Sequence, residues 1–461
     1  MEHSSSGEAG KKNLFQLAWP IFADMSLRVL TGTVNIFMVS QLSALYVASM
    51  TPGNQLFSLS IVIFNFIGIG TCVVIAQMLG SGEFRNIKKI IHCAFGFNIV
   101  LGTAVLLAVL IFSGQILDLM QIDREIRDGA GTYMIILAFS LVPEACGICA
   151  ASVLRAYGRT KEAMYSSLTA NIITVISNLL LLFGFFGLPM LGLAGAAISV
   201  VLGRLASLLM ILYFYRKRVG IKLRLGFMFR VNTGFIRRIL RIGLPAAGEN
   251  LAWNSQFMVA TAFIASMGNY ELATHTYYFQ TICMFMMLFA VSIGSATEIM
   301  VAFHIGAGNY ELVYRRLIRS LKIGLAGSLI IATIMACGFS GMLLDLFSNH
   351  SPQVAELAAP LILLSVMMEP GRAFNVIVIN SLRAANDASF PMIMAILSMW
   401  CVAVPLEYFL GISMQMGLLG VWIAFTCDEW IRGISMYFRW KTRIWQRKSM
   451  NVSRETMLRQ V

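Results

Sequence analysis

Residues 243–254 read GLPAAGENLAWN, and residues 19–30, near the other end of the chain, read WPIFADMSLRVL. Laying Pro20 on Pro245 sets an offset of 225 residues, and Asp24 then falls on Glu249, each four positions after its proline. Both acids stand about ten residues inside long apolar runs, which is about 15 Å at the helical rise, or half of a ~30 Å hydrocarbon core. A carboxylate at that depth costs about 2.5–3.5 kcal/mol, so one recurring at the same place in two halves points to function.

Those apolar runs dominate the chain. Of its 461 residues 58% are hydrophobic and 12% charged, with a mean hydropathy of +0.76. Soluble domains carry about 25% charged residues, so this composition is that of an integral membrane protein in contact with the lipid bilayer. The polar start with Lys11 and Lys12 leads into a run too long for a signal-peptide core, so no cleavable signal is expected. All eight cysteines lie in apolar segments, and Cys146 and Cys149 read as small packing residues rather than a redox or zinc pair.

Twelve spans are predicted, at 14–38, 54–79, 89–113, 130–153, 163–186, 191–215, 239–267, 274–302, 320–344, 357–382, 391–411 and 417–439. The N-terminus, the even-numbered connections and the C-terminal tail hold 29 of the 35 Lys and Arg. The opposite connections hold only Arg124 and Arg127, beside Asp118, Asp123, Glu125 and Asp128. Arg28, Arg204, Arg372 and Arg432 lie inside spans. The positive-inside rule puts both termini in the cytoplasm and requires an even number of spans, in a plasma (inner) membrane.

Further repeats share the offset. GSGEFRNIKK from Gly80 matches GAGNYELVYRR from Gly306, LRAYGRTKEAM from Leu154 matches LRAANDASFPM from Leu382, and GLAG from Gly192 matches GLLG from Gly417. The fold class is therefore an all-α polytopic membrane protein of two pseudo-symmetric six-helix lobes, with parallel repeats. The expected division is a cytoplasmic segment 1–13, lobes 14–215 and 239–440, a basic linker 216–238 and a basic tail 441–461. Nine Lys/Arg without an acid between Arg216 and Arg241 mark an inside-facing linker that touches anionic lipid. Nucleic acid is not expected as a partner, because no aromatic-interleaved soluble domain accompanies that charge.

Chemistry is sought at the buried acids. Glu249 has no cation within a turn of its own helix and has Asn250 and Asn254 as neighbours. Asp24 has Arg28 at i+4. Glu144 follows Pro143, Glu369 precedes Arg372 by three positions, and Asp428 and Glu429 precede Arg432 by four and three. Acids one turn from an arginine read as structural pairs or as proton carriers. Arg204 is available to partner an acid. Pro20 and Pro245, one turn before their carboxylates, free a backbone carbonyl and can bend the first and seventh helices. Methionine-rich runs at 284–289 and Trp253, Tyr277, Tyr278, Phe374 and Trp400 suit core filling or the binding of organic cations. No phosphate loop and no catalytic Ser/His/Asp set is present, so neither ATP-driven transport nor an enzyme is expected.

TGTVNIFMVSQLS, GLPAAGEN, EPGRAFN, INSLRAANDASFP and SMWCVAVPLEYFLG with GLLGVWIAFTCDEWIRG resemble the multidrug and toxic compound extrusion (MATE) family over residues 12–445. The resemblance implies two six-helix lobes around a central cavity and alternating-access efflux of organic compounds in exchange for H⁺ or Na⁺, with no cofactor. Glu249 matches the family's seventh-helix acid, and Glu369 stands on the tenth helix. Where many members have VDTxMVG this chain has VNIFMVS, so Asn35 replaces an acid; its carbonyl can ligate Na⁺ but carries no proton. Asn386 takes the glycine position of LRAxGD, which Asn fills because it tolerates the left-handed conformation.

The expected coupling or substrate residues are thus Glu249, Asp24, Glu369, Asn250, Asn254, Asn35, Asp428 and Glu144. The function read from them is a monomeric antiporter of amphipathic, cationic organic compounds. A flippase of lipid-linked saccharides is the competing reading. Four in-span arginines against six acids speak for cationic cargo.

Overall fold

A computed structural model describes residue 10, residues 12–184, 187, 189–228, 233–348 and 351–450. Parts of the expected N-terminal segment, linker and tail lie outside those residues. Among the described residues twelve long helical segments follow one another, counting bent α4 as one. They are α1 (Leu14–Ser40), α2 (Ala44–Ser81), α3 (Phe84–Leu119), α4 (Arg124–Ala138 and Leu141–Ala156), α5 (Thr160–Leu181) and α6 (Gly192–Arg218). Then come α7 (Thr233–Met267), α8 (Asn269–Gly306), α9 (Tyr310–Gly338), α10 (Pro352–Ala384), α11 (Ser389–Ser413) and α12 (Gly417–Lys441). The two pieces of α4 meet at 42°. Nine of these segments, or ten with bent α4, are long and apolar enough to span a membrane. The two outside that number are α7 and α12, whose sequences carry Glu249, Asn250 and Asn254, and Asp428, Glu429 and Arg432.

Local chemistry sets the ends. Ser43 caps α2 by accepting from the Leu45 N–H, and Ser351 caps α10 ahead of Pro352. Left-handed residues recur at the repeat spacing: Gly82 and Gly308 (φ 76° and 73°), Gly158 and Asn386 (74° and 61°), Gly192 and Gly417 (54° and 60°). Asn386 therefore does what the sequence expected of it.

The chain divides into two compact units, one holding Trp19–Gly243 and the other Leu244 onward together with Asn13–Ala18. The first turn of α1 thus groups with the second unit, and the linker with the first turns of α7 groups with the first. Both changes of unit fall one residue before the prolines, at Ala18/Trp19 and Gly243/Leu244, 225 residues apart. In the first unit an apolar core of Val39, Met50, Phe64, Tyr133, Met134 and Leu141 joins α1, α2 and α4. In the second, Ile264, Tyr278, Ile282, Leu361, Trp422 and Val421 join α7, α8, α10 and α12. The π turns among the described residues, at Phe279–Cys283, Ile334–Gly338, Met399–Ala403 and Phe409–Ser413, all lie in the second unit.

Candidate functional site

Helical spacing in the first unit aligns charges on three facing stripes. Asp24 and Arg28 lie one turn apart on α1, Glu144 and Arg155 share a face of α4 three turns apart, and Arg204 comes from α6. Asp24 is buried and accepts from Arg28 Nε at 3.3 Å, from Arg155 Nη2 at 2.6 Å and from the Ser167 hydroxyl of α5. Arg28 Nη1 donates to Glu144 Oε1 at 3.1 Å, and Arg204 Nη1 lies 3.3 Å from Glu144 Oε2. The result is an alternating chain, Arg155–Asp24–Arg28–Glu144–Arg204, with three guanidiniums and two carboxylates.

The second unit builds a larger array. Arg372 Nη1 donates to Glu369 Oε1 at 2.8 Å, and its Nε stands 3.7 Å from Glu429 Oε1. Asn375 Nδ2 donates to Glu429 Oε2 at 2.8 Å. Arg432 reaches Asp428 at 2.7 Å and Glu429 at 3.2 Å, and the Ser398 hydroxyl donates to Asp428 at 2.6 Å. This array has two guanidiniums and three carboxylates. A separate pair lies on α7 and α10, where Arg383 Nη2 donates to Glu249 Oε2 at 2.6 Å and Arg383 Nη1 donates to Asn380.

The two bridges Asp24–Arg155 and Glu249–Arg383 correspond by repeat: the acids sit 225 positions apart, and the arginines occupy the same place in the two LRA motifs, 228 apart. Both bridges measure 2.6 Å. No cation stands within a turn of Glu249 on its own helix; the one it pairs with comes from α10. Arg155 and Arg383 each stand one residue before the end of their helix, so each acid lies within one arginine side chain of the helix ends that carry the basic connections.

The other expected residues scatter. Asn250 and Asn254 are exposed and donate to the Ala246 and Asn250 carbonyls of their own helix, so neither is turned to Glu249. Asn35 is buried in the apolar core, its side-chain carbonyl taken by Asn178 at 2.7 Å, away from the Asp24 chain. Arg204 does partner a carboxylate, Glu144. Sequence reasoning passed over Arg155 and Arg383, and also over buried Glu298 on α8 and Glu407 on α11, which accepts from Gln256 at 2.8 Å. With these added, four arginines against six acids is no longer the charge count of the interior. One turn after Glu249, Trp253 stacks on Phe257 at 5.4 Å, and Phe279 closes on Phe257 at 4.6 Å, giving a half-buried aromatic wall.

Comparison with known proteins follows the same repeat. The MatE family model matches residues 20–180 and again 245–409. An uncharacterized transporter, YisQ of Bacillus subtilis, is 37% identical over 440 residues, covering 95% of this chain and 96% of that protein. A probable multidrug resistance protein, NorM of Thermotoga maritima, is 24% identical, with 95% and 94% covered. Among solved structures, a MATE protein in the bent conformation superposes with a TM-score of 0.87 at 18% identity, covering 98% and 100%. A MOP superfamily transporter from Pyrococcus furiosus, described as having a binding pocket of reverse polarity, gives 0.86 at 20%, covering 96% and 98%.

Proposed function

Matched by the family model once in each half, and by a relative along nearly its whole length, the chain belongs to the MATE family of membrane efflux transporters, and from that premise we propose that it is a cation-coupled antiporter of amphipathic organic compounds. The exchanged ion is H⁺ or Na⁺, and no cofactor takes part. The carrying observation is the bridge between Glu249 and Arg383, since among the acids paired with Arg372, Arg383 and Arg432 Glu249 has the most accessible side chain, at 14%. A carboxylate held by one arginine has spare oxygen valence for an entering cation. The aromatic wall one turn away offers ring faces to a cationic drug. Cation and drug then compete: a cation at Glu249 weakens the hold on the drug, and drug binding expels the cation. Glu369, Asp428 and Asp24 are more deeply enclosed and act as fixed charges that hold the arginines of their own units.

We place the transporter in the plasma membrane as a monomer with both termini cytoplasmic, on the distribution of Lys and Arg. The flippase reading draws no support from the relatives, whose printed roles are multidrug resistance and transport. The test is dye efflux from reconstituted vesicles at fixed pH, with and without a sodium gradient, on wild type and Glu249→Gln. Loss of ion-driven efflux with insertion intact is expected. Unchanged coupled flux in the variant removes Glu249 from the mechanism, and the sodium arm identifies the ion.

A further inference from the structure

The two charged arrays differ in which sign they present. In the first unit the side chains of Arg28, Arg155 and Arg204 are 34%, 27% and 21% exposed, while those of Asp24 and Glu144 are 2% and 6%. In the second the order is not repeated: Arg372, Arg383 and Arg432 are only 10%, 9% and 5% exposed. The first array therefore encloses its acids and leaves its arginine side chains the more open of the two partners.

Arg28 and Arg204 stand well inside α1 and α6, and a guanidinium that open within a span meets water or a ligand rather than lipid. The array holds one more cation than anions. Arg28 spends Nε and Nη1 on the two acids, and Arg204 spends Nη1, leaving fork donors on both that take no acid among the described residues. Arg155 Nε is buried with no hydrogen-bond partner among the described residues. Beside them the Arg204 guanidinium lies over the Phe57 ring, 5.6 Å from its centroid, so an apolar surface adjoins the charge. Two guanidiniums bridged by one carboxylate, next to an aromatic ring, match a planar anion attached to an apolar body.

We propose that the Arg28–Glu144–Arg204 face is a binding site for the anionic group, a carboxylate or phosphate, of an exported amphiphile. The bound anion supplies the negative charge that the array lacks, and the site extends the range of cargo from cations to compounds with an acidic group. The proposal rests on the efflux reading for the word cargo, but its test is binding to purified protein without an ion gradient, which a failure of Glu249 coupling does not touch.

Rhodamine B and its ethyl ester share one skeleton and differ in the free carboxylate. By fluorescence anisotropy the wild type is expected to bind the acid at least about tenfold more tightly than the ester, the range for charge-assisted hydrogen bonds. Arg204→Gln and Arg28→Gln should abolish that preference, and Arg204→Lys, which keeps the charge and the packing stem, should retain part of it. Equal affinities in wild type, or a preference that survives in both Gln variants, overturns the proposal. So does thermal protection by phosphatidylglycerol that depends on Arg204 without any preference between the dyes, which assigns the face to lipid instead.

Discussion

The bridges Asp24–Arg155 and Glu249–Arg383 are the same contact made twice, at equal length, yet they are embedded differently. Asp24 is gripped by two arginines and a serine and is almost fully enclosed. Glu249 has one arginine and a partly open side chain. The repeat preserved the backbone positions of acid and arginine, and the surrounding helices decided what each acid is free to do. Where the first helix has Arg28 one turn after its acid, the seventh has Trp253, so a second cation in one unit is an aromatic ring in the other. That one exchange separates a closed ion chain from an acid with an aromatic ring one turn along its helix.

The largest effect expected from breaking this comparison is on stability in the first unit. Asp24→Ala removes a buried carboxylate that pairs with two arginines and takes the Ser167 hydroxyl, leaving Arg155 unpaired and Arg28 with Glu144 alone, and breaking such a buried pair costs about 3–5 kcal/mol. Glu249→Ala removes one partly accessible partner and costs about 1–3 kcal/mol. Thermal unfolding of the two variants in one detergent should rank them in that order; Glu249→Ala melting at or below Asp24→Ala refutes the difference in embedding. A smaller effect, about 0.5–3 kcal/mol, is the coupling within the second bridge, read from a double-mutant cycle of Glu249→Gln and Arg383→Gln. Additive losses would mean that the 2.6 Å contact contributes nothing of its own.

Much of this was legible in the chain. The offset of 225 residues, the helix order and the local pairs Asp24–Arg28, Glu369–Arg372 and Asp428–Arg432 all follow from spacing along one helix. The partners Arg155 and Arg383 were not read, although LRA was recognised as repeated, because a basic residue at a span end first reads as a topology signal. They lie 131 and 134 positions from their acids, and only packing brings them in. Glu298 and Glu407 were overlooked for a related reason: each is a lone acid in an apolar run with no neighbouring charge to flag it, although Glu407 lies within the quoted stretch SMWCVAVPLEYFLG. The exposure of the arginines, from which the anion site follows, depends on neighbours in three dimensions and has no signature in spacing.

The smallest expected effect lies at the turns that follow the two LRA motifs. Gly158 and Asn386 hold the same left-handed conformation, at φ 74° and 61°, and the two turns are tied down by different segments. In the first unit Lys12 donates to the Gly158 carbonyl at 2.6 Å. In the second, buried Asp387 accepts from Arg439 Nε at 2.9 Å and from Lys448 Nζ at 2.5 Å, while Ser449 donates to the Ala385 carbonyl. A Cβ in that conformation costs about 1–2 kcal/mol, a penalty that glycine escapes and asparagine offsets in part. Asn386→Gly should therefore be close to neutral, while Gly158→Ala and Asn386→Ala should each lose about 1 kcal/mol. Because three side chains clamp the second turn, its loss should appear as a lower melting temperature without local opening, whereas Gly158→Ala should also speed amide exchange around residues 157–159. Equal exchange in the two alanine variants would show that the ion cluster at Asp387 does not hold its turn any more firmly than the contacts around Gly158 hold the other.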